Sequence, residues 1–279
     1  MAPFQIVVDS CCDLTPLQRG SGLFCNVPLT IHVGESEFRD DETLDTELLA
    51  DAIAMCQQAA HTSCPSPADY LAAFEAAEGD LYVVTLSALL SGSHNSAWQA
   101  ARLFLEEHPQ RNIHVFNSCS ASAGEVLIAE KLAQLAGQGL PFAQVVAEAD
   151  RYIAAMNTLF VVEDLDTLRK AGRLTKVQAL ITGALRVKLV MGSTPEGEIR
   201  KHTQALSVKQ ALAKLTQLMA QDEGHRGKTL CIAHCLCPDR AEHLRALARK
   251  HCDFSQIILT ETRGISTFYA NRGGVIAAY

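Results

Sequence analysis

Residues 81–105 read LYVVTLSALLSGSHNSAWQAARLFL. The first six form a largely apolar run that predicts a buried strand, and the apolar residues after Trp98 recur at helical spacing. Between them lies a turn that contains Ser91 and Ser93, with a glycine where the backbone must turn tightly. A strand followed by a short turn and a helix is the repeating unit of a parallel α/β sheet.

The turn at residues 89–97 offers hydroxyl and backbone N–H groups to a ligand above the predicted sheet. A helix N-terminus carries unpaired donors and a partial positive charge, so an anion is the favoured guest. The turn holds no Lys or Arg, which favours a small singly charged anion such as a carboxylate over a polyphosphate. Ser and Asn are also preferred helix caps, so a purely structural role is the alternative.

Hydroxyl groups recur in other segments of the same half of the chain. Residues 9–13 and 117–122 follow predicted strands, and residues 61–66 form a turn stiffened by two nearby prolines. Because the carboxyl ends of parallel strands meet at one edge of a sheet, these side chains are expected to lie close together. The sequence therefore predicts one shared polar pocket.

Composition excludes several classes of protein. The formal net charge of -7 argues against nucleic acid, which requires a basic face. No basic segment precedes the first apolar run, and no run of eighteen apolar residues occurs, so a cytoplasmic protein with free thiols is expected. The cluster of Cys231, His234, Cys235 and Cys237 lacks the spacing of a zinc site. We therefore expect no metal and no cofactor.

The chain changes character near residue 158. Residues 1–157 alternate apolar runs, one of them a predicted strand region at 23–33, with helical segments, which predicts a mainly parallel sheet flanked by helices. Asp45 is expected to cap one of these helices, and Ser66 or Pro67 to start another. Residues 158–279 combine apolar strands, a hairpin turn at Glu196–Gly197–Glu198 and a mostly apolar segment from Ile181 to Val190, and helices are predicted over 163–174, 207–219 and 240–250. This pattern predicts a mixed α/β domain. The fold class is therefore α/β with two domains.

An enzyme remains the alternative. A small serine hydrolase or acyl transferase would use Ser91 or Ser93, with His94 as base, but the Gly-x-Ser-x-Gly elbow is absent. Dinucleotide and Walker-type phosphate loops are absent as well. A thiol-rich redox or metal protein is a third hypothesis. The residues best describe a pocket for an amphiphilic carboxylate.

Five motifs in order resemble the DegV family, bacterial fatty-acid-binding proteins that include the acyl-carrying subunit of fatty acid kinase. They are Val8–Asp9–Ser10 with Asp13–Leu14, Thr62–Ser63–Cys64–Pro65–Ser66, Leu90–Ser91–Gly92–Ser93, Asn117–Ser118 with Ser122–Ala123–Gly124, and Leu168–Arg169–Lys170–Ala171–Gly172–Arg173–Leu174 with Val187–Lys188.

The resemblance implies that one long-chain fatty acid, such as palmitate, stearate or oleate, lies in a tunnel between the two domains and is not chemically altered by this chain. Thr62 and Ser91 would then hydrogen-bond the carboxylate, with Ser93 in place of the family's usual Thr. Ser118 in the fourth motif completes the expected fatty-acid-binding set. Phe74, Phe104 and Phe160 are expected to line or block the tunnel.

The resemblance also implies a fatty acid kinase subunit as partner, and transient contact with a membrane surface is compatible with this role. Kinase-associated members carry an Arg-Thr pair where this chain has Leu206–Ser207, and a histidine where residues 266–274 have none. Arg200 and Arg272 are candidates to replace the lost charge. These departures leave the kinase partner open.

Overall fold

The computed structural model describes residues 3–56, 60–163, 165–174 and 187–279. These residues form thirteen strands and ten α-helices. The strands are β1 Phe4–Asp9, β2 Phe24–Val27, β3 Thr30–Val33, β4 Ser36–Arg39, β5 His61–Ser63, β6 Asp80–Thr85, β7 Ile113–Asn117, β8 Thr158–Val161, β9 Lys188–Ser193, β10 Ile199–Ala205, β11 Thr229–His234, β12 Gln256–Glu261 and β13 Val275–Ala278. The helices are α1 Pro16–Arg19, α2 Thr46–Met55, α3 Pro67–Ala76, α4 Ser93–Glu107, α5 Ala123–Gly137, α6 Phe142–Ala154, α7 Asp166–Lys170, α8 Val208–Gln221, α9 Pro238–His251 and α10 Gly264–Ala270.

The first sheet has four parallel strands in the order β2-β1-β6-β7. Its strands are short continuous apolar runs because both faces are covered. The segments after β1, β6 and β7 leave the sheet at one edge, as the sequence predicted. Residues 61–63 are an exception, since they form a strand of another sheet and not a turn at this edge.

The second sheet has six strands in the order β10-β9-β8-β13-β11-β12. Only β11 and β12 are parallel to each other, so the sheet is mixed, as expected for residues 158–279. A small antiparallel sheet, in the order β4-β3-β5, packs with α2 and α10 around Ile31, Leu49 and Phe268.

The layers follow from side-chain alternation along the strands. On β6, Tyr82 and Val84 face α5 and α6, whereas Leu81 and Val83 face α3 and α4. On β11, Cys231 and Ala233 meet the same α5–α6 layer, and Leu230 and Ile232 meet α8 and α9. The order of layers is therefore α3–α4, first sheet, α5–α6, second sheet, α8–α9.

The predicted boundary at residue 157 coincides with the start of the second sheet at Thr158. Helices α5 and α6 precede that boundary, yet they share one hydrophobic core with strands from both sheets. The division into domains 1–157 and 158–279 therefore stays a prediction.

Three sequence predictions differ in detail from the structure. The strand region at 23–33 is two strands, because Pro28 cannot donate a ladder hydrogen bond. The helix predicted over 163–174 is helical only over Asp166–Lys170, with turns up to Leu174. The apolar segment that begins at Ile181 lies outside the described residues up to Arg186. Among the described helices, none has the length and apolarity that crossing a membrane requires.

Candidate functional site

A cavity with about 700 Å³ of empty space, its mouth included, lies between the strand exits of the first sheet and the face of the second sheet. The residues that line it almost all have apolar or small side chains. The lining residues are Cys11, Leu90, Cys119, Ser120, Ala121, Ser122, Thr158, Phe160, Val162, Leu168, Gly192, Ser193, Gly197, Glu198, Ile199, Ser266, Tyr269, Ala270 and Ile276. Such a surface gains free energy by burying a hydrocarbon ligand.

Strand β8 and the residue after it form part of the cavity wall. Thr158 and Phe160 of β8, and Val162 just beyond its end, alternate along the chain and all line the cavity. At about 3.3 Å per residue, the four steps from Thr158 to Val162 span roughly 13 Å. An apolar surface of this length suits an extended acyl chain. Of the three predicted phenylalanines only Phe160 lines the cavity; Phe74 and Phe104 pack in the α3–α4 core.

One end of the cavity, which we call the head, lies beyond Val162. Helix α10 leads into β13, whose first residue Val275 pairs with Val161, so Tyr269 lies at this end. The Tyr269 hydroxyl lies 2.9 Å from the Thr62 hydroxyl of β5. One phenolic and one aliphatic hydroxyl therefore meet at the head, where Tyr269 lines the cavity and Thr62 reaches it through Tyr269.

Ser91 follows Leu90, which lines the cavity, although Ser91 itself is not among the lining residues. The Ser91 hydroxyl accepts a hydrogen bond of 3.2 Å from the backbone N–H of Ser93. The guanidinium of Arg173 donates to the Leu90 carbonyl at 3.0 Å and to the carbonyl of Ala171. A positive charge thus stands beside the turn that the sequence singled out.

Ser93 is placed differently from its expected role. Its fully buried hydroxyl donates to the Asp9 carboxylate at 2.6 Å and lies 2.6 Å from the Tyr70 hydroxyl. Asp9 also accepts from the backbone N–H groups of Cys11 and Leu86. Ser93 is not among the residues that line the cavity, so its visible contacts anchor the turn to β1.

Ser118 likewise makes local contacts. Its hydroxyl donates to the carbonyl of Ser120 and accepts from the N–H of the same residue, both at 3.1 Å. These bonds shape a loop in which Cys119 and Ser122 adopt positive φ angles of 49° and 57°. Ser118 therefore stabilises the conformation of this loop, and residues Cys119 to Ser122 of the loop line the cavity.

The geometry does not assemble a serine–histidine pair at the turn. The Ser93 hydroxyl is engaged by Asp9 and Tyr70, and the ring of His94 lies 3.2 Å from the Thr85 hydroxyl. Burial lowers the pKa of His94, and the charge of His114 lowers it further. Within these contacts His94 has no serine hydroxyl to deprotonate.

The two thiols of the cavity are not activated. Burial raises the pKa of Cys11 well above its usual value, and the charge of Glu125 raises it further. Burial also raises the pKa of Cys119. A thiol is nucleophilic only when ionised, so neither is suited to redox or acyl-transfer chemistry at neutral pH. All ten cysteines are free.

Beneath the cavity, three carboxyl groups are fully buried. Burial raises the pKa of Asp13 to about 7, even though Ser122 and the backbone N–H of Arg263 donate to it. Burial also raises the pKa of Asp9 and of Glu125. Among the described residues, neither carboxyl oxygen of Glu125 has a hydrogen-bond partner.

The candidate replacement charges lie away from the head. Arg272 pairs with Glu47 and Asp51 on α2, at 2.9 and 3.1 Å. Arg200 borders a different cavity, and the Leu206 side chain is exposed while Ser207 caps α8. Sequence reasoning missed Tyr269 and Thr158; the only signal for Tyr269 was its place in the segment that lacks the expected histidine.

Comparison with known proteins agrees with this architecture. Residues 3–278 match the family model described as "Uncharacterised protein, DegV family". A DegV domain-containing protein of Streptococcus gordonii is 36% identical over 278 residues, which cover 99% of this chain and 98% of that protein.

Two solved structures are similar over 99% of both chains. The DegV family protein of Ruminococcus gnavus, refined with vaccenic acid, has 42% identity and a TM-score of 0.95. The fatty acid kinase (Fak) B3 protein of Streptococcus pneumoniae, loaded with linoleic acid, has 32% identity and a TM-score of 0.89. Since the family model and these relatives span nearly the whole sequence, the chain belongs to the DegV family.

Proposed function

We propose that this protein binds one long-chain fatty acid and holds it without catalysing a reaction on it. The observation that carries the proposal is the apolar cavity whose head ends at the hydroxyl groups of Thr62 and Tyr269. The vaccenic and linoleic acids bound to two similar proteins support the same ligand class. The ten free thiols suit a reducing compartment such as the cytoplasm.

In this proposal Thr62, Ser91 and Tyr269 donate hydrogen bonds to the carboxylate, and Arg173 lowers the cost of bringing its charge out of water. Each hydrogen bond to a charged group contributes about 1.5–3 kcal/mol. Ser93 and Ser118 contribute by holding the turn and the loop that frame the ligand. The acyl chain supplies most of the affinity, at roughly 0.8 kcal/mol per buried methylene.

Native mass spectrometry of the purified protein, followed by solvent extraction, tests the proposal. A mass excess of one fatty acid that disappears on denaturation is the expected result. Protein that is purified without lipid, and that takes up neither oleate nor palmitate, contradicts it. An enzyme using Ser91 then becomes the next hypothesis, and turnover of acyl esters by wild type but not by Ser91→Ala is its signature.

We further propose that the bound fatty acid is presented to a separate kinase subunit. The similarity to the Fak B3 protein supports this partnership. The test combines the loaded protein with a fatty acid kinase subunit and ATP, and traps acyl phosphate with hydroxylamine. No trapped product from this chain, with product from a Fak B3 control, contradicts the partnership and leaves fatty acid binding untouched.

A further inference from the structure

A second cavity adjoins the apolar cavity described above, which we call the acyl channel. It encloses about 660 Å³ of empty space, its mouth included, and is lined by Asn157, Thr158, Leu159, Arg200, His202, Leu218, Asp222 and Tyr279. Thr158 lines both cavities. Thr158 of β8 therefore lies between the two spaces.

Hydrogen bonding fixes this dividing side chain. The Thr158 hydroxyl lies 2.6 Å from the hydroxyl of Ser120, which lines the acyl channel from the other side. As a β-branched residue in a strand, Thr158 also has few rotamers to choose from. Its methyl and hydroxyl groups are therefore held as a fixed surface across the end of the channel.

A close approach of two strands completes the wall. A Cβ atom on Gly192 would lie 2.6 Å from the His202 ring nitrogen Nε2 and 2.6 Å from the Thr158 carbonyl oxygen. The register of β9 and β10 shifts between Lys201 and Thr203, so His202 is the extra residue of a β-bulge. Bulges re-aim side chains, and this one brings the imidazole against Gly192.

The two cavities differ in chemistry. The acyl channel is almost wholly apolar, whereas the rear cavity contains the Arg200 guanidinium and the Asp222 carboxylate. Arg200 donates to His202 at 3.2 Å, and Asn157 donates to Asp222 at 2.8 Å. A hydrocarbon tail gains little by leaving the channel for these polar groups. The wall is thus a chemical boundary as well as a steric one.

We propose that Thr158, Gly192 and His202 form the wall at which the methyl end of the fatty acid stops, so that they set the longest chain the protein accepts. This inference rests on the proposed function and goes beyond it by naming the residues that select chain length. The head fixes the carboxylate, and the wall fixes the far end, so each added methylene must find room between them.

The test uses three variants at the wall. Thr158→Ala removes two heavy atoms, which equals about two methylene groups of space. Thr158→Ile replaces the hydroxyl by an ethyl group, which is one heavy atom more, and keeps the branched shape. Thr158→Val keeps the shape and removes the hydroxyl, so it is the matched control. Delipidated protein is incubated with an equimolar mixture of saturated fatty acids from dodecanoic to docosanoic, and native mass spectrometry identifies the acid retained.

We expect Thr158→Ala to move the preferred acid longer by about two carbons, Thr158→Ile to move it shorter, and Thr158→Val to keep the wild-type preference. His202→Ala opens the wall from behind and also lengthens the preferred acid, whereas His251→Ala, in the exposed end of α9, leaves it unchanged. A wild-type protein that retains no acid contradicts the proposed function. If wild type, Thr158→Ala and His202→Ala all retain a fatty acid of the same length, the proposed role of the wall is wrong and the proposed fatty acid binding still stands.

Discussion

The hydroxyl oxygens of Thr62 and Tyr269 lie 2.9 Å apart, although 207 positions separate the two residues in the sequence. Thr62 comes from the small antiparallel sheet and Tyr269 from the helix that precedes the central strand of the second sheet. The contact closes the head of the acyl channel. Each of the two predicted halves of the molecule contributes one partner to this pair.

The first prediction concerns this pair. Thr62→Val keeps the shape of the side chain and removes the hydroxyl, so we expect fatty acid binding to weaken about tenfold or more, since a hydrogen bond to a charged group contributes about 1.5–3 kcal/mol. Tyr269→Phe should weaken it in the same direction. Fluorescent fatty acid displacement gives the dissociation constants, and Tyr152→Phe in α6 is the control. Unchanged affinity in both variants would show that the hydroxyls of Thr62 and Tyr269 do not bind the carboxylate.

The second prediction separates anchoring from ligand binding at Ser93. Because its buried hydroxyl donates to Asp9, we expect Ser93→Ala to lower the free energy of unfolding by about 1–3 kcal/mol. Chemical denaturation of delipidated protein measures it. A variant of wild-type stability that has lost fatty acid affinity would instead make Ser93 a direct ligand of the carboxylate.

The third prediction concerns the pH dependence of stability. Burial raises the folded-state pKa of Glu125 well above its ordinary value of 4.5, and the charge of Asp9 raises it further. The folded state then binds the proton more tightly than the unfolded chain does, so this residue's contribution is intact below pH 4.5 and is lost as the pH rises towards the folded pKa.

Glu125→Gln removes that titration. Its stability relative to wild type should therefore increase steadily as the pH rises from about 5 to 8. Denaturation at a series of pH values measures the difference. Glu106→Gln, the same substitution at an exposed position of α4, is the matched control. A flat Glu125→Gln difference would mean that the folded-state pKa of this carboxyl is not raised above that of the unfolded chain.

The fourth prediction concerns Arg272. Its guanidinium pairs with Glu47 and Asp51 on the surface, and these side chains are about half exposed, so the ion pairs contribute little. We expect Arg272→Ala to change the free energy of unfolding by less than about 1 kcal/mol and to leave the fatty acid dissociation constant unchanged. Arg173→Ala, at the head, should weaken binding. Weaker binding by Arg272→Ala, with unchanged binding by Arg173→Ala, would instead make Arg272 the positive charge that stabilises the bound carboxylate.

Local sequence accounted for most of the fold because local rules govern each element. The apolar run before Ser91 predicted β6, Asp45 predicted the start of α2, and Ser66 with Pro67 predicted the start of α3. The serine-rich exits of β1, β6 and β7 predicted the edge of the sheet at which the cavity lies. These patterns act over a few residues, so they are legible without knowledge of the fold.

The sequence predicted only part of the candidate site. Hydroxyl-bearing residue types pointed to an anion, but their directions depend on partners far along the chain. Ser93 turns to Asp9 and Tyr70, Ser118 to its own loop, and Thr62 to Tyr269. Since a hydroxyl group bonds to whichever donor or acceptor lies within 3 Å or so, its role is fixed only when those partners are in place.

The sequence by itself determined an α/β protein with a parallel first sheet, a mixed second sheet and polar strand exits that suit a carboxylate. Only the tertiary structure decided which hydroxyls meet at the head of the channel, that Phe160 alone of the three candidate aromatic residues lines it, and that Thr158 closes it. Periodicity and capping are properties of neighbouring residues. A cavity is the space left between segments as distant as β5, β8 and α10, and its shape exists only once long-range packing has set their positions.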